Sequence, residues 1–270
     1  MKEKVTRWKK ALFTGVACLG ILGNVHADSI ARGQRGPTEW QADLRLSLGE
    51  RVNATSISTR SIVNQNVIKY WNGGSKGIWG FGAFPYKILD NGTSENSGLG
   101  DITLGGGPRF AFTNYVGSFH FLPYVALTLP IGDSTSKPAL GNNRIDFKVG
   151  TGFTYLPSSK KGEISGIVEY TRTGIDKELK IPDEVYGGIL AGGSLSVLRM
   201  PRLRMLTGIT GTTKIGSIND GDYVITSRTA LRCTPPNTKR WHTELWVDHD
   251  IKTKGMPKGH AVTGMLRLNF

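Results

Sequence analysis

From residue 38 to the carboxy terminus, apolar and polar residues alternate almost one by one. In RIDFKVGTGFTY, Ile145, Phe147, Val149, Phe153 and Tyr155 fall on one face of an extended chain, and Arg144, Asp146, Lys148 and Thr154 on the other. In FHFLPYVALTLPI, Phe119, Phe121, Val125, Leu127, Leu129 and Ile131 share a face. In WQADLRLSL the apolar set is Trp40, Ala42, Leu44, Leu46 and Leu48, against Gln41, Asp43, Arg45 and Ser47. No window carries the three-and-four spacing of an amphipathic helix. The pattern predicts an all-β protein of about twelve strands: 38 to 48, 63 to 72, 77 to 87, 100 to 112, 119 to 131, 143 to 156, 163 to 174, 184 to 198, 202 to 215, 222 to 233, 240 to 250 and 259 to 270.

Strands of this length exceed those of most soluble sandwiches and suit a tilted strand crossing a bilayer. The connections also sort by length. ERVNATSISTRSIV, KILDNGTSENSGLG, GDSTSKPALGNN and GIDKELKIPDE are long and polar, whereas NGGSK, LPSSKK and RMPR are tight and rich in turn formers. Such sorting predicts a transmembrane antiparallel up-and-down β-barrel, with both termini and the short turns at the periplasmic end and the longer loops outside. The first 27 residues read as a secretory signal, with Lys2, Lys4, Arg7, Lys9 and Lys10 before the apolar run ALFTGVACLGILG and a cleavage site at Val25-His26-Ala27. Residues 28 to 37, DSIARGQRGP, are then a periplasmic segment or a plug, and 38 to 270 the barrel.

In a membrane barrel the apolar face is outside and the polar face lines the lumen. Aromatics near strand ends suit an interfacial girdle: Trp40, Tyr70, Trp71, Trp79, Tyr86, Tyr115, Tyr155, Tyr170, Tyr186 and Trp241. The candidate lumen residues are Arg45, Asp101, Arg144, Asp146, Lys148, Glu169, Arg204, Arg228, Arg232, Arg240, His242 and Glu244. Basic positions gather between residues 202 and 240, so one side of the lumen is expected to be positive and to favour anionic solutes such as carboxylates.

Composition adds three points. The 36 glycines suit many strands and turns. The formal charge of +13 falls to +9 once the signal, with five basic residues and Glu3, is removed. The remaining basic residues are scattered singly, and the chain is exported, so nucleic acid is not an expected partner. Cys18 leaves with the signal, so Cys233 stands alone and no intramolecular disulfide can form. Catalysis is not expected, nor a metal or cofactor. The densest polar column, His242, Glu244, Trp246 and Asp248, lacks a third ligand at metal spacing, and no serine sits in a nucleophile elbow.

GLGDITLGG at 98 to 106, LPIGD at 129 to 133 and the strand opening NRIDFKVGTGF together resemble the outer-membrane proteins grouped as the putative meta-pathway of phenol degradation family, over roughly residues 98 to 270. The resemblance implies a small barrel first and transport of hydrophobic or aromatic compounds second. The glycines of GLGDITLGGG permit twist and close packing, and Asp101 is expected to point inward near the rim. The functional expectation is passive uptake of small solutes, aromatic or carboxylate, through the outer membrane. The alternatives are a barrel enzyme acting on lipid and an adhesin or structural barrel.

The chain ends in GMLRLNF, where Leu266, Leu268 and Phe270 alternate to the last residue. An open strand edge cannot be left in lipid, so this strand is expected to pair with the first. Its terminal aromatic resembles the signal read by the barrel-assembly machinery. That machinery, outer-membrane lipid and a small solute are the expected partners.

Overall fold

A computed structural model of the chain describes residues 38–52, 58–72, 76–159, 161–175, 182–198, 200–216, 221–234 and 241–270. The expectations for the signal and for residues 28–37 therefore lie outside the described residues. Thirteen strands follow in order: β1 (Thr38–Val52), β2 (Ser58–Asn72), β3 (Lys76–Asp90), β4 (Glu95–Leu99), β5 (Ile102–Thr113), β6 (Gly117–Leu129), β7 (Asp146–Pro157), β8 (Gly162–Arg172), β9 (Asp183–Leu195), β10 (Met200–Ile215), β11 (Tyr223–Cys233), β12 (Trp241–Lys254) and β13 (Lys258–Asn269).

Each strand pairs antiparallel with its sequence neighbour, except that β4 and β5 both pair with β3, and β13 returns to pair with β1 from Gln41↔Asn269 to Val52↔Lys258. The sheet thus closes into a ring of twelve strands with β4 as an addition, and the seam is the first-to-last pairing expected from the tail. Closure removes both sheet edges, which lipid requires. The side chains follow the pleat. Gln41, Asp43, Arg45 and Ser47 of β1 are buried against the interior, while Trp40 and Leu48 on the alternate face are exposed. On β12, Glu244, Trp246 and Asp250 face inward and Trp241, Leu245 and Val247 outward.

Several strands extend beyond their predicted ends. β1 continues to Val52 and β2 begins at Ser58, so both arms of ERVNATSISTRSIV are strand rather than loop. The expected long connection GDSTSKPALGNN is a loop, residues 130–145 between β6 and β7. The predicted strand 100 to 112 is β5, and an additional strand, β4, forms within KILDNGTSENSGLG, an expected loop. β4 pairs with the far half of β3, Tyr86↔Leu99 to Asp90↔Glu95, and β5 with the near half, Lys76↔Phe110 to Ala83↔Thr103. The register slips by one between them, making Gly100 and Asp101 a bulge that re-aims the side chains after it. In β5 the glycine run has a steric reason: a Cβ on Gly107 would lie 2.2 Å from the Pro123 carbonyl oxygen of β6.

The girdle reading needs correction at three positions. Trp40, Tyr86, Tyr115 and Trp241 are exposed, but Trp71, Trp79 and Tyr186 are 1%, 3% and 6% exposed and point into the barrel. The pleat imposes this: where two aromatics are adjacent, as Tyr70 and Trp71, only one can face lipid.

Candidate functional site in the barrel interior

One side of the interior is ionic. Asp43 on β1 is fully buried and accepts hydrogen bonds from Arg267 Nε at 2.7 Å and Nη2 at 2.8 Å, Lys69 Nζ at 2.5 Å, Arg45 Nη2 at 3.1 Å and Gln41 Nε2 at 2.5 Å. Arg267 stands directly across the seam from Asp43, and Lys69 reaches in from β2. The bidentate guanidinium contact fixes geometry as well as charge. Three cations surround one carboxylate, so this part of the wall is net positive.

A second network continues around the wall through β8, β10, β11 and β12. Arg232 binds Glu244 Oε1 at 2.6 Å and Glu163 Oε2 at 3.3 Å, and Arg204 reaches the Gly162 carbonyl at 3.0 Å and Glu163 at 3.9 Å. His242 Nε2 lies 3.3 Å from Glu244, whose other oxygen accepts the Trp246 indole N–H at 2.7 Å. Because Glu163 belongs to β8 and Arg232 to β11, their contact is a chord across the interior rather than a neighbour-strand pair. Both networks sit at the end of the barrel that carries the termini. Arg45 and Arg228 flank the Trp246 ring at 5.8 and 5.2 Å, and Arg228 is held bidentately by Asp248 at 2.7 and 2.8 Å.

Nearer the outer end, Lys148 pairs with Glu169 at 2.9 Å, Glu169 also accepts the Tyr124 hydroxyl, and Arg144 pairs with Asp146 at 2.9 Å. Of the twelve candidate lumen residues, Arg240 lies outside the described residues. The other eleven divide between these networks and the Asp101 clasp described below. Lys69 and Arg267 belong to the ionic wall and were not among the sequence candidates. Arg267 sits in a tail read for its apolar face, yet its alternation with Leu266 and Leu268 already placed it inward.

Another part of the interior is apolar, which the sequence reading did not anticipate; it meets the ionic network on β2, where Lys69 lies between Val67 and Trp71. Trp71 and Trp79, paired across β2 and β3, form one cluster with Val67, Phe81, Leu122 and Tyr124. The Trp79 and Phe81 rings stack at 5.4 Å, and Tyr124 meets both edge-on at 5.8 and 6.1 Å. The indole N–H groups of Trp71 and Trp79 are buried with no acceptor among the described residues.

Residues 130–145 fold against the inner face of β3 and β4 at the outer mouth. Asp101 in the bulge accepts the backbone N–H groups of Gly132 at 3.0 Å and Asn142 at 2.8 Å, pinning both ends of the loop. Lys87 donates to the Leu140 carbonyl at 2.7 Å, Asn96 to that of Pro138 at 3.0 Å and Ser94 to that of Lys137 at 2.7 Å, while the Leu140 side chain is buried. Within the loop, Asp133 accepts the Thr135 N–H at 2.9 Å and the Ser136 hydroxyl, and these hydrogen bonds hold its carboxyl well below the usual carboxylate range. The motifs GLGD, LPIGD and NNRIDF, far apart in sequence, thus meet at one clasp.

Leu266, Leu268 and Phe270 lie on the outward face of β13, and the Phe270 N–H donates to the Trp40 carbonyl at 2.9 Å. Among the described residues no group of three His, Cys, Asp or Glu side chains could hold a metal ion.

A closed antiparallel ring, apolar outside and holding buried charged networks within, defines an outer-membrane β-barrel. The chain belongs to the family described as Putative MetA-pathway of phenol degradation, whose model matches residues 24–186. The match reaches further back than the motif-based resemblance and stops short of its end. The COG4313 outer membrane channel from Pseudomonas putida F1 has a similar fold, with a TM-score of 0.67 and 13% identity over 92% of this chain and 99% of that one. The translocator domain of the autotransporter NalP from Neisseria meningitidis is more distantly similar, with a TM-score of 0.52 and 8% identity over 98% of both chains. No curated protein matches the sequence.

Proposed function

We propose that the protein is a passive channel for small amphipathic anions, aromatic carboxylates foremost, and not an enzyme. The observation that carries this reading is that the interior holds an aromatic cluster, built on Trp71, Trp79, Phe81 and Tyr124, adjoining arginine-rich ionic networks. A flat apolar ring gains from the first, and a carboxylate is drawn by the net positive charge of the second. The Trp71 and Trp79 indole N–H groups offer donors to a solute oxygen. Lys148, Arg204, Arg228, Arg232 and His242 then line the path, with their carboxylate partners limiting how tightly an anion is held, as conduction requires. The similar barrel from Pseudomonas putida is itself named a channel.

The test is reconstitution in a planar bilayer under a salt gradient, with liposome swelling in benzoate, acetate and neutral sugars. A reversal potential on the anion side and faster swelling in benzoate than in a sugar of similar size are expected. A cation-set reversal potential refutes the reading.

A further inference from the structure

We propose that the outer end of the wall formed by β11, β12, β13, β1 and β2 carries a docking site for the phosphate groups of an outer-leaflet phosphoglycolipid. The cross-strand register places the participating side chains on the outward face. Lys252 lies opposite Ile225 and Lys254 opposite Tyr223, Ile251 being the extra residue of a bulge. Lys258 lies opposite Val52, His260 sits between Glu50 and His249, and Arg60 lies opposite Glu50. All six basic side chains are exposed.

Their height on the wall is set by what lies below them. On the same outward columns, Leu48, Val247 and Val262 are exposed apolar side chains of the lipid-facing belt. The basic residues begin one outward position beyond these, where acyl chains give way to headgroups. Lys252 lies 5.8 Å from the Tyr223 ring centroid, so an amphipathic aromatic marks the same boundary.

Acidic partners in the patch gather at Arg60 and leave its three lysines without an ion pair among the described residues. Lys252, Lys254 and Lys258 meet no carboxylate within 4.0 Å among the described residues, and Glu50 engages Arg60 at 3.5 Å and Ser58. On the far side of the barrel the outward Arg172 is answered by Asp183 at 3.6 Å, and at the β2 edge of the patch Arg60 faces Asp90 of β3 as well as Glu50. These lysines project sideways from the wall into the plane of the leaflet, so the partner they suit is a lipid headgroup. Ammonium groups on flexible stems are compact point charges suited to phosphate. An electrostatic attraction of this kind adds to burial of acyl chains on the belt below.

The experiment uses the refolded full chain in detergent and measures, by native mass spectrometry, retention of bis-phosphorylated lipid A and of the same lipid with its phosphates removed. The wild-type barrel is expected to retain the phosphorylated lipid preferentially and to release it as salt rises to about 0.5 M, where exposed charges are screened. K252E/K254E/K258E is expected to weaken retention at least about tenfold, given the contribution of each basic residue near a charged leaflet. K252R/K254R/K258R should retain the lipid, and a heat-dependent gel shift verifies folding of both variants. Equal retention of the phosphate-free lipid, retention insensitive to salt, or undiminished retention by a folded triple glutamate variant would overturn the proposal. Channel conductance is measured on the same samples and is expected to be unchanged, which separates this site from the solute path.

Discussion

At the scale of single residues, Asp43 decides the most. Its carboxylate compensates Arg267, Lys69 and Arg45 in a place with no access to solvent, so removing its charge strands three cations. Breaking a buried pair this way typically costs about 3–5 kcal/mol. Asp43→Asn is accordingly expected to lower the urea midpoint of the refolded barrel by that equivalent, while a substitution of the outward Leu44 by Ile should change it little. Asp133 behaves differently, because it is exposed and held by local hydroxyl and amide donors. Its folded-state pKa lies below the ordinary value of about 4, so its contribution is present above that pH and fades only as pH falls towards the lower value. Cleavage of the 130–145 loop by an acid-active protease should therefore rise only in strongly acid solution, and in Asp133→Ala it should already be fast at neutral pH with a neutral-active protease. The alternation made Asp43 and Arg45 legible as inward residues. It gave no sign that Trp71 and Trp79 join them, because in KYWNGG and GIWGFG neither face is clearly polar.

Among the elements, the broken strand of β4 and β5 is the instructive one. GLGDITLGG reads as one alternating run from residue 100, and nothing in the run shows the one-residue slip at Gly100 and Asp101, since a slip is a property of pairing with β3. The same stretch nevertheless carried the family resemblance, and the structure supplies the reason: the bulge aims Asp101 at both ends of the loop. Two hydrogen bonds to a carboxylate, worth roughly 1.5–3 kcal/mol each, restrain that loop. Asp101→Ala should increase protease cutting within residues 130–145 by at least about tenfold and make single-channel current noisier, with the barrel's gel shift intact. A quiet channel with a protected loop would show that Lys87, Asn96 and Ser94 suffice. The apolar wall was hidden for a related reason. In FLPYVAL the inward Leu122, Tyr124 and Ala126 alternate with outward Phe121 and Val125, and a strand apolar on both faces has no visible period.

For the whole molecule, closure follows from the carboxy-terminal strand. Deleting Phe270 removes one exposed ring and the N–H bonded to Trp40, a small loss against the twelve pairs of the seam. If the last residue acts as an assembly signal, that deletion should reduce barrel in the outer membrane severalfold while leaving export and in vitro refolding nearly normal. Equal membrane levels would count against the role. The antiparallel ring of about twelve strands and its seam could be read from alternation, because lipid demands a closed sheet, whereas the short β4 could not. What fills the ring could not, since interior contacts such as Glu163 with Arg232 join strands that are not neighbours. The seam has one more implication. Since the Phe270 amide already touches Trp40, a short linker from residue 270 to residue 38 would join the ends without strain, and new ends could be opened at the turn of residues 255–257. Such a circular permutant would keep every strand pairing yet bury the aromatic tail in mid-chain, so the information that shapes the barrel and the information that delivers it could be taken apart and measured separately.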